Sequence, residues 1–256
     1  DRACTQAERA LELARAFEAA GEAHRVAQNR YEGGLATYLE VLYAEDTFLG
    51  SQRNLTSLQT RAFALDIALK RALAAKLGVL PEQITLGNGS NDILEFAARA
   101  FVTAQDEVMF SQHAFAVYPI VTQAVGARAV EVPARNWGHD LDAMHAAITT
   151  RTRLIFIANP NNPTGTWLRG AALEAFLDKL PASVIVVMDE AYFEYVEASD
   201  YPNTVAWLAR YPNLICARTF SKIYGLAGLR VGYGVSSVAV ADILNRVRQP
   251  FNVNSI

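Results

Sequence analysis

The chain has few of the features that mark a secreted, membrane-spanning or nucleic-acid-binding protein. Its two cysteines, Cys4 and Cys216, are too few for a disulfide framework, and their surroundings lack metal-ligand spacing. No apolar run approaches the roughly 18–20 residues of a membrane helix, and no basic, apolar and small-residue signal pattern opens the chain. The formal net charge of −3 includes no basic run, which argues against nucleic acid as a partner.

The composition is that of a folded protein. Of the 256 residues, 52% are hydrophobic and 19% are charged, so the chain can bury enough apolar surface to offset its ordering entropy. The length allows one large domain or two ordinary ones. We expect a cytoplasmic enzyme acting on small molecules, and a change of texture predicts two domains, over residues 1–70 and 71–256.

The first segment has the pattern of a helical hairpin. Residues 7–72 contain no proline and are rich in Ala, Leu, Glu, Arg and Gln. Three leucines recur every seven residues, which suits a coiled-coil seam: Leu35, Leu42 and Leu49. Gly33 and Gly34 interrupt the pattern and are predicted to separate two helices. We find no catalytic constellation here, and His24 is predicted to be a solvated side chain.

The second segment predicts an α/β domain. Short, wholly apolar runs alternate with helical patterns, as in a mainly parallel sheet covered on both faces. The predicted strands are 108–110, 154–157, 184–188 and 214–216, and the predicted helices are 92–102, 141–148 and 171–180. A further helix over 65–77 is predicted to run through the join and to end at Gly78.

Polar loops follow three of these strands, where ligands bind in open parallel sheets. The loop 159–165 (NPNNPTG) is a turn by composition. Asp189 ends a buried strand, where a carboxylate needs a cation or a donor, or serves as a helix cap. Lys222 lies in a loop with hydroxyls and a second cation, Arg230. In a partly desolvated site its amine becomes a nucleophile. Most lysines are plain surface residues, but the apolar neighbours Phe220, Ile223 and Leu226 favour a partly desolvated one here.

A fourth polar segment, 86–92 (LGNGSND), precedes a predicted helix. Exposed amides at a helix start, approached through glycines, form a natural phosphate cradle. Ser90 or Asn91 could equally be a plain N-cap. A phosphate cradle, a strand-end carboxylate and a lysine in a hydroxyl-bearing loop together are what pyridoxal phosphate requires.

Residues 73–256 resemble the histidinol-phosphate aminotransferases, a family of fold-type I pyridoxal-phosphate enzymes. The resemblance rests on LGNGSND, ANPNNPTG, DEAYFEYV, RTFSKIYGLAGLRVGYG and RQPFNVNS, in that order. It implies that Lys222 carries the cofactor and later moves a substrate proton, and that Asp189 pairs with the ring nitrogen. The other implied cofactor contacts are Asn162 and Tyr192 to the phenolic oxygen, Phe115 stacked on the ring, and Ser90, Asn91, Ser221 and Arg230 to the phosphate.

The resemblance also implies a reaction and an assembly. The reaction is amino transfer between histidinol phosphate and 2-oxoglutarate, in histidine biosynthesis, and the assembly is a homodimer. The match lacks the family's amino-terminal arm and carboxyl-terminal small domain, so we expect turnover to be weak or absent. A related amino-acid phosphate decarboxylase is a second interpretation. A third is a non-enzymatic chimera that associates through its hairpin, since residues 7–70 resemble the helical hairpin of bacterial outer-membrane efflux factors.

Overall fold

The computed structural model describes residues 2–249 and 252–253. This part of the chain forms two compact units, one within residues 2–68 and the other over residues 69–253. The helices are α1 (Arg2–Glu32), α2 (Tyr38–Leu77), α3 (Ser90–Phe101), α4 (Val117–Ala124), α5 (Leu141–Ala146), α6 (Gly170–Leu177) and α7 (Val238–Val247). The strands are β1 (Ile84–Asn88), β2 (Glu107–Ser111), β3 (Arg128–Val132), β4 (Thr152–Ala158), β5 (Ile185–Asp189), β6 (Leu214–Thr219) and β7 (Val231–Ser236).

The first unit is the predicted helical hairpin. The chain turns between α1 and α2, where Gly34 adopts a φ of +72° that residues with a Cβ rarely tolerate. Phe48 of α2 packs between two rings of α1, with centroids 5.1 Å from Phe17 and 5.8 Å from His24. The prediction that His24 is solvated is wrong, because this stacking leaves the imidazole only partly accessible.

The leucines of the heptad pattern do not form the packing seam of this hairpin. Leu35, Leu42 and Leu49 are 73%, 41% and 37% exposed. Contact between α1 and α2 comes instead from aromatic rings and from the small residue Gly21, which lies against the ring of Phe48. Among the described residues, no helix combines the length and the apolar character needed to cross a membrane.

The second unit is built on a seven-stranded sheet in the order β1-β7-β6-β5-β4-β2-β3. Every pair from β6 to β3 is parallel, whereas β7 is antiparallel to both of its neighbours. Six strands therefore point the same way, which confirms the predicted mainly parallel sheet. The four predicted strands and the end of α2 at Gly78 are confirmed, with small shifts of boundary.

The sequence patterns missed β1, β3 and β7, each for a local reason. The edge strand β3 is largely exposed and carries charge, so it lacks an apolar run. The strand β7 contains Gly232 and Gly234, which weaken a strand pattern. The strand β1 includes the first three residues of the segment 86–92, whose glycines and polar residues were interpreted as a phosphate cradle.

Helices cover both faces of the sheet, because side chains alternate along each strand. In β4, Leu154 and Phe156 pack with α3, α4 and α7, whereas Ile155 and Ile157 pack with α5, α6 and the last turns of α2. One hydrophobic core therefore lies on each face of the sheet. The carboxyl ends of six strands lie at one edge.

Candidate active site

The predicted site residues converge at the carboxyl edge of the sheet. They follow the ends of β1, β2, β4, β5 and β6 or, in the case of Arg230, directly precede the reversed strand β7. All of them line one cavity of about 160 Å³: Ser90, Asn91, Phe115, Asn162, Asp189, Tyr192, Ser221, Lys222 and Arg230. Strand register brings them together, since Asp189 is paired with Ala158 on one side and with Ala217 on the other.

One wall of the cavity is the start of α3. Gly89 is the N-cap residue, and no side chain caps this end of the helix. The alternative that Ser90 or Asn91 is the N-cap is therefore wrong; both lie in the first turn, with Ser90 buried and Asn91 exposed. A helix start with uncapped amides is a site for an anion.

Bare backbone allows three segments to approach closely here. A Cβ on Gly232 would lie 2.3 Å from both Gly89 C and Ser90 N, and a Cβ on Gly89 would lie 2.6 Å from Arg230 Nη2. Glycine at these two positions therefore lets β7 and the arginine side chain pack directly against the helix start.

Arg230 is held in place by its backbone and by its side chain. It adopts the left-handed conformation, with a φ of 53°, and its carbonyl accepts a hydrogen bond from Gly89 N at 3.0 Å. Its Nη1 donates to Ser221 Oγ at 3.4 Å and to Ala227 O at 3.1 Å. No ion pair within the described ranges uses this guanidinium. Its charge is thus available to an anion beside the α3 amides.

Asp189 is the buried acid of the cavity and is only 5% exposed. Its Oδ2 accepts a hydrogen bond from the Tyr118 hydroxyl at 2.9 Å, and its Oδ1 accepts one from Ala191 N at 3.2 Å. Burial raises the pKa of Asp189 to about 6, and the Tyr118 hydrogen bond is the largest effect in the opposite direction. A buried carboxylate of this kind favours a cationic partner in the cavity.

Lys222 lies in an exposed loop. The prediction of a partly desolvated lysine is wrong for this structure, because Lys222 is exposed and its neighbours Ile223 and Leu226 are 45% and 42% exposed. The ammonium lies 5.1 Å from the centroid of the Tyr192 ring. Asn162, Tyr192 and Phe115, which complete the predicted set, are each partly buried.

Sequence reasoning missed the residues that support this cavity. Tyr118 binds Asp189, and no motif pointed to it because its helix α4 was not predicted. Glu190 and Arg218 form a buried ion pair, with Arg218 Nε 2.8 Å from Glu190 Oε2, while Thr204 donates to the other carboxylate oxygen. Each partner is adjacent in sequence to a cavity residue, so this pair fixes the ends of β5 and β6. A buried charge next to a strand end was the available signal for both.

The cavity presents four kinds of binding group. An uncapped helix start with Arg230 can bind a phosphate group, and the buried Asp189 can face a protonated ring nitrogen. Phe115 offers an aromatic face, and Lys222 offers a primary amine. The cavity therefore suits a phosphorylated, cationic heterocycle that reacts with an amine.

Sequence comparison shows that the chain is similar to known aminotransferases. The family model described as "Aminotransferase class I and II" matches residues 25–256. Histidinol-phosphate aminotransferase 2 of Pseudomonas fluorescens is 65% identical over 189 residues, which is 74% of this chain and 51% of the relative. Histidinol-phosphate aminotransferase 1 of Idiomarina loihiensis is 59% identical over 205 residues, which is 80% of this chain and 56% of the relative.

Solved structures agree. The crystal structure of histidinol-phosphate aminotransferase from Sinorhizobium meliloti in complex with pyridoxal-5'-phosphate has a TM-score of 0.71 and 35% identity, over 74% of this chain and 52% of that one. The chain spans about half the length of the curated relatives it matches. Because the family model covers most of the sequence and the strand-end cavity has the expected residues, the chain belongs to the class I and II aminotransferase family.

Proposed function

We propose that residues 71–256 form the pyridoxal-phosphate-binding part of an aminotransferase of the histidinol-phosphate type, and that residues 1–70 form a separate helical module. The observation that carries the proposal is the convergence of nine residues, chosen from sequence, on one cavity at the carboxyl edge of the sheet. That cavity pairs an anion site at the start of α3 with a buried acid at the end of β5.

The residues fit this cofactor. Because Gly89 and Gly232 have no side chain, β7 and Arg230 lie directly against the start of α3. The α3 amides and Arg230 are therefore close enough to bind one phosphate, and Ser90, Asn91 and Ser221 line the same cavity. When bound, pyridoxal phosphate supplies an electron sink for the substrate α-carbon. Asp189 would keep the ring nitrogen protonated, Asn162 and Tyr192 would bind the phenolic oxygen, and Phe115 would exclude water from one face of the ring.

Lys222 is the catalytic residue of this proposal. Its amine would hold the cofactor and then move the proton at the substrate α-carbon. General acid–base catalysis of this kind contributes roughly 10²–10⁴-fold to the rate.

For the substrates, we propose histidinol phosphate and 2-oxoglutarate, acted on by a cytoplasmic homodimer. The support is the identity of 59–65% to proteins named histidinol-phosphate aminotransferase. The decarboxylase interpretation has less support, since L-threonine-O-3-phosphate decarboxylase from Porphyromonas gingivalis is 22% identical and shares the fold alone.

The first test is direct binding. The purified protein is mixed with pyridoxal phosphate, and we expect a visible absorbance band that borohydride bleaches. Lys222→Ala should abolish the band, and Lys179→Ala, at an exposed lysine outside the cavity, should keep it. A folded sample without a band would refute the proposal.

The substrate requires a second test. Adding histidinol phosphate to the loaded protein should convert the visible band slowly and incompletely to that of the aminated cofactor, because turnover is expected to be weak, and 2-oxoglutarate should restore the band. A band that responds equally to unrelated amino acids and to histidinol phosphate would refute the substrate assignment but not the cofactor assignment.

A further inference from the structure

Tyr118 is a completely buried tyrosine of α4 that does not line the cavity. Its hydroxyl donates a hydrogen bond to Asp189 Oδ2 at 2.9 Å, and that carboxylate is a cavity residue. The second oxygen, Oδ1, is fixed by the backbone N–H of Ala191. Both oxygens of the buried acid therefore have a set direction, and only one of the two donors is a side chain.

The Tyr118 ring has little freedom to move. It stacks on Phe156 with centroids 4.7 Å apart and planes 4° apart, and it meets Phe115 edge-to-face at 6.0 Å. Its backbone N–H donates to Phe115 O, and its carbonyl accepts from the Thr122 hydroxyl. One rigid residue thus contacts both Phe115, on the aromatic side of the cavity, and the buried acid.

The groups around Asp189 act in opposite directions on its charge. Burial and the neighbouring Glu190 favour the protonated acid, whereas Tyr118, the Ala191 amide and the charge of Lys222 favour the carboxylate. Tyr118 has the largest effect on the carboxylate side, because its hydroxyl donates directly to a buried carboxylate oxygen. Burial beside Asp189 raises the pKa of Tyr118 well above its usual range, so the phenol remains a donor.

We propose that Tyr118 is a positioning residue that holds Asp189 as an oriented carboxylate for the protonated ring nitrogen of the cofactor. This inference rests on the proposed function and names a residue that acts through Asp189 without touching the ring. Without the hydroxyl, a larger fraction of Asp189 would be protonated, and its attraction for a cation would be weaker.

The first experiment measures Asp189 in the cofactor-free protein. The variant Tyr118→Phe keeps the ring stack and removes only the donor, and the carboxyl carbon of Asp189 is titrated by NMR with labelled aspartate, with Asp189→Asn to assign its signal. Because the lost hydrogen bond stabilises the charged form of Asp189, we expect the titration midpoint to rise by about one pH unit or more.

A matched control is available in the same unit. Tyr211 is also buried and donates its hydroxyl to a carboxylate, Asp178, at 2.7 Å, outside the cavity. Tyr211→Phe should leave the Asp189 midpoint unchanged. An unchanged midpoint in Tyr118→Phe as well would overturn the inference.

The second experiment separates positioning from packing. Affinity is measured for pyridoxal phosphate and for its analogue with a CH group in place of the ring nitrogen. We expect Tyr118→Phe to weaken pyridoxal phosphate about tenfold or more and the analogue less than about twofold. An equal loss for both ligands would show a structural role only and would overturn the inference.

Two further outcomes are informative. In an Asp189→Asn background, adding Tyr118→Phe should change neither affinity, and this pair decides the matter if the single variant folds poorly. Wild-type protein that fails to bind pyridoxal phosphate would refute the proposed function and the cofactor part of this inference. The NMR midpoint would still decide whether Tyr118 controls the charge of Asp189.

Discussion

Replacing the buried acid should stabilise the cofactor-free protein at neutral and alkaline pH. The substitution is Asp189→Asn, which keeps the shape of the side chain and can still pair with Tyr118 and the Ala191 amide. Burial raises the pKa of Asp189 from 3.8 to about 6 in the folded protein. The neutral acid is therefore the form that suits the fold, and the charge is retained at the expense of stability.

The sign and size of the effect follow from linkage. Because the folded pKa lies above the unfolded value, the contribution of Asp189 to stability is fully present below the unfolded pKa and is lost as pH rises through about 6. The uncharged Asn should therefore exceed Asp in unfolding free energy by about 2 kcal/mol at pH 5 and about 3 kcal/mol at pH 8.

The assay is urea unfolding of cofactor-free protein at several pH values. Asp178→Asn is the matched control, because that carboxylate also accepts a tyrosine hydroxyl but is 46% exposed and pairs with Arg210; this variant should not be more stable than wild type. A difference between Asp189→Asn and wild type that is the same at pH 5 and pH 8 would contradict the reasoning. So would a variant less stable than wild type at pH 8.

Three further predictions concern the surroundings of the cavity. Gly232→Ala should reduce both the affinity for pyridoxal phosphate and the free energy of unfolding, because the added Cβ would lie 2.3 Å from the backbone at the start of α3. Gly228→Ala is the control and should change neither quantity, because no atom lies within 4 Å of its added Cβ. Arg218→Met should lower the unfolding free energy in urea titrations by about 3–5 kcal/mol, because it leaves Glu190 charged and buried without a partner. Adding Glu190→Gln should restore part of the lost stability. If the stability losses of the two single variants simply added in the double variant, the prediction would be contradicted. Arg230→Met should weaken binding of pyridoxal phosphate by about tenfold or more while changing that of unphosphorylated pyridoxal little; an equal loss for both would exclude a phosphate contact.

The sequence alone determined the class of the fold and most of the cavity. Wholly apolar strand runs separated by helices can be buried only in a sheet covered on both faces, so β2, β4, β5 and β6 were predictable. The carboxyl ends of parallel strands meet at one edge, so Asp189 and Lys222 could be assigned to one site before any contact was known. The segment 86–92 was added to that site because a phosphate cradle, a carboxylate and a lysine together are what pyridoxal phosphate requires.

Only the tertiary structure decided how the site is supported. Periodicity carries no information on β7, whose reversed direction brings Arg230 and Gly232 against the start of α3. It also missed Tyr118 and the Glu190–Arg218 pair, because a buried tyrosine or ion pair depends on which distant strand lies opposite it. The exposure of Lys222 also depends on the tertiary structure. Its sequence neighbours are apolar, but the loop lies beyond the edge of the sheet, and its side chains remain accessible to solvent. Local sequence fixes which groups follow each strand, whereas burial and partner choice depend on contacts between segments far apart in the chain.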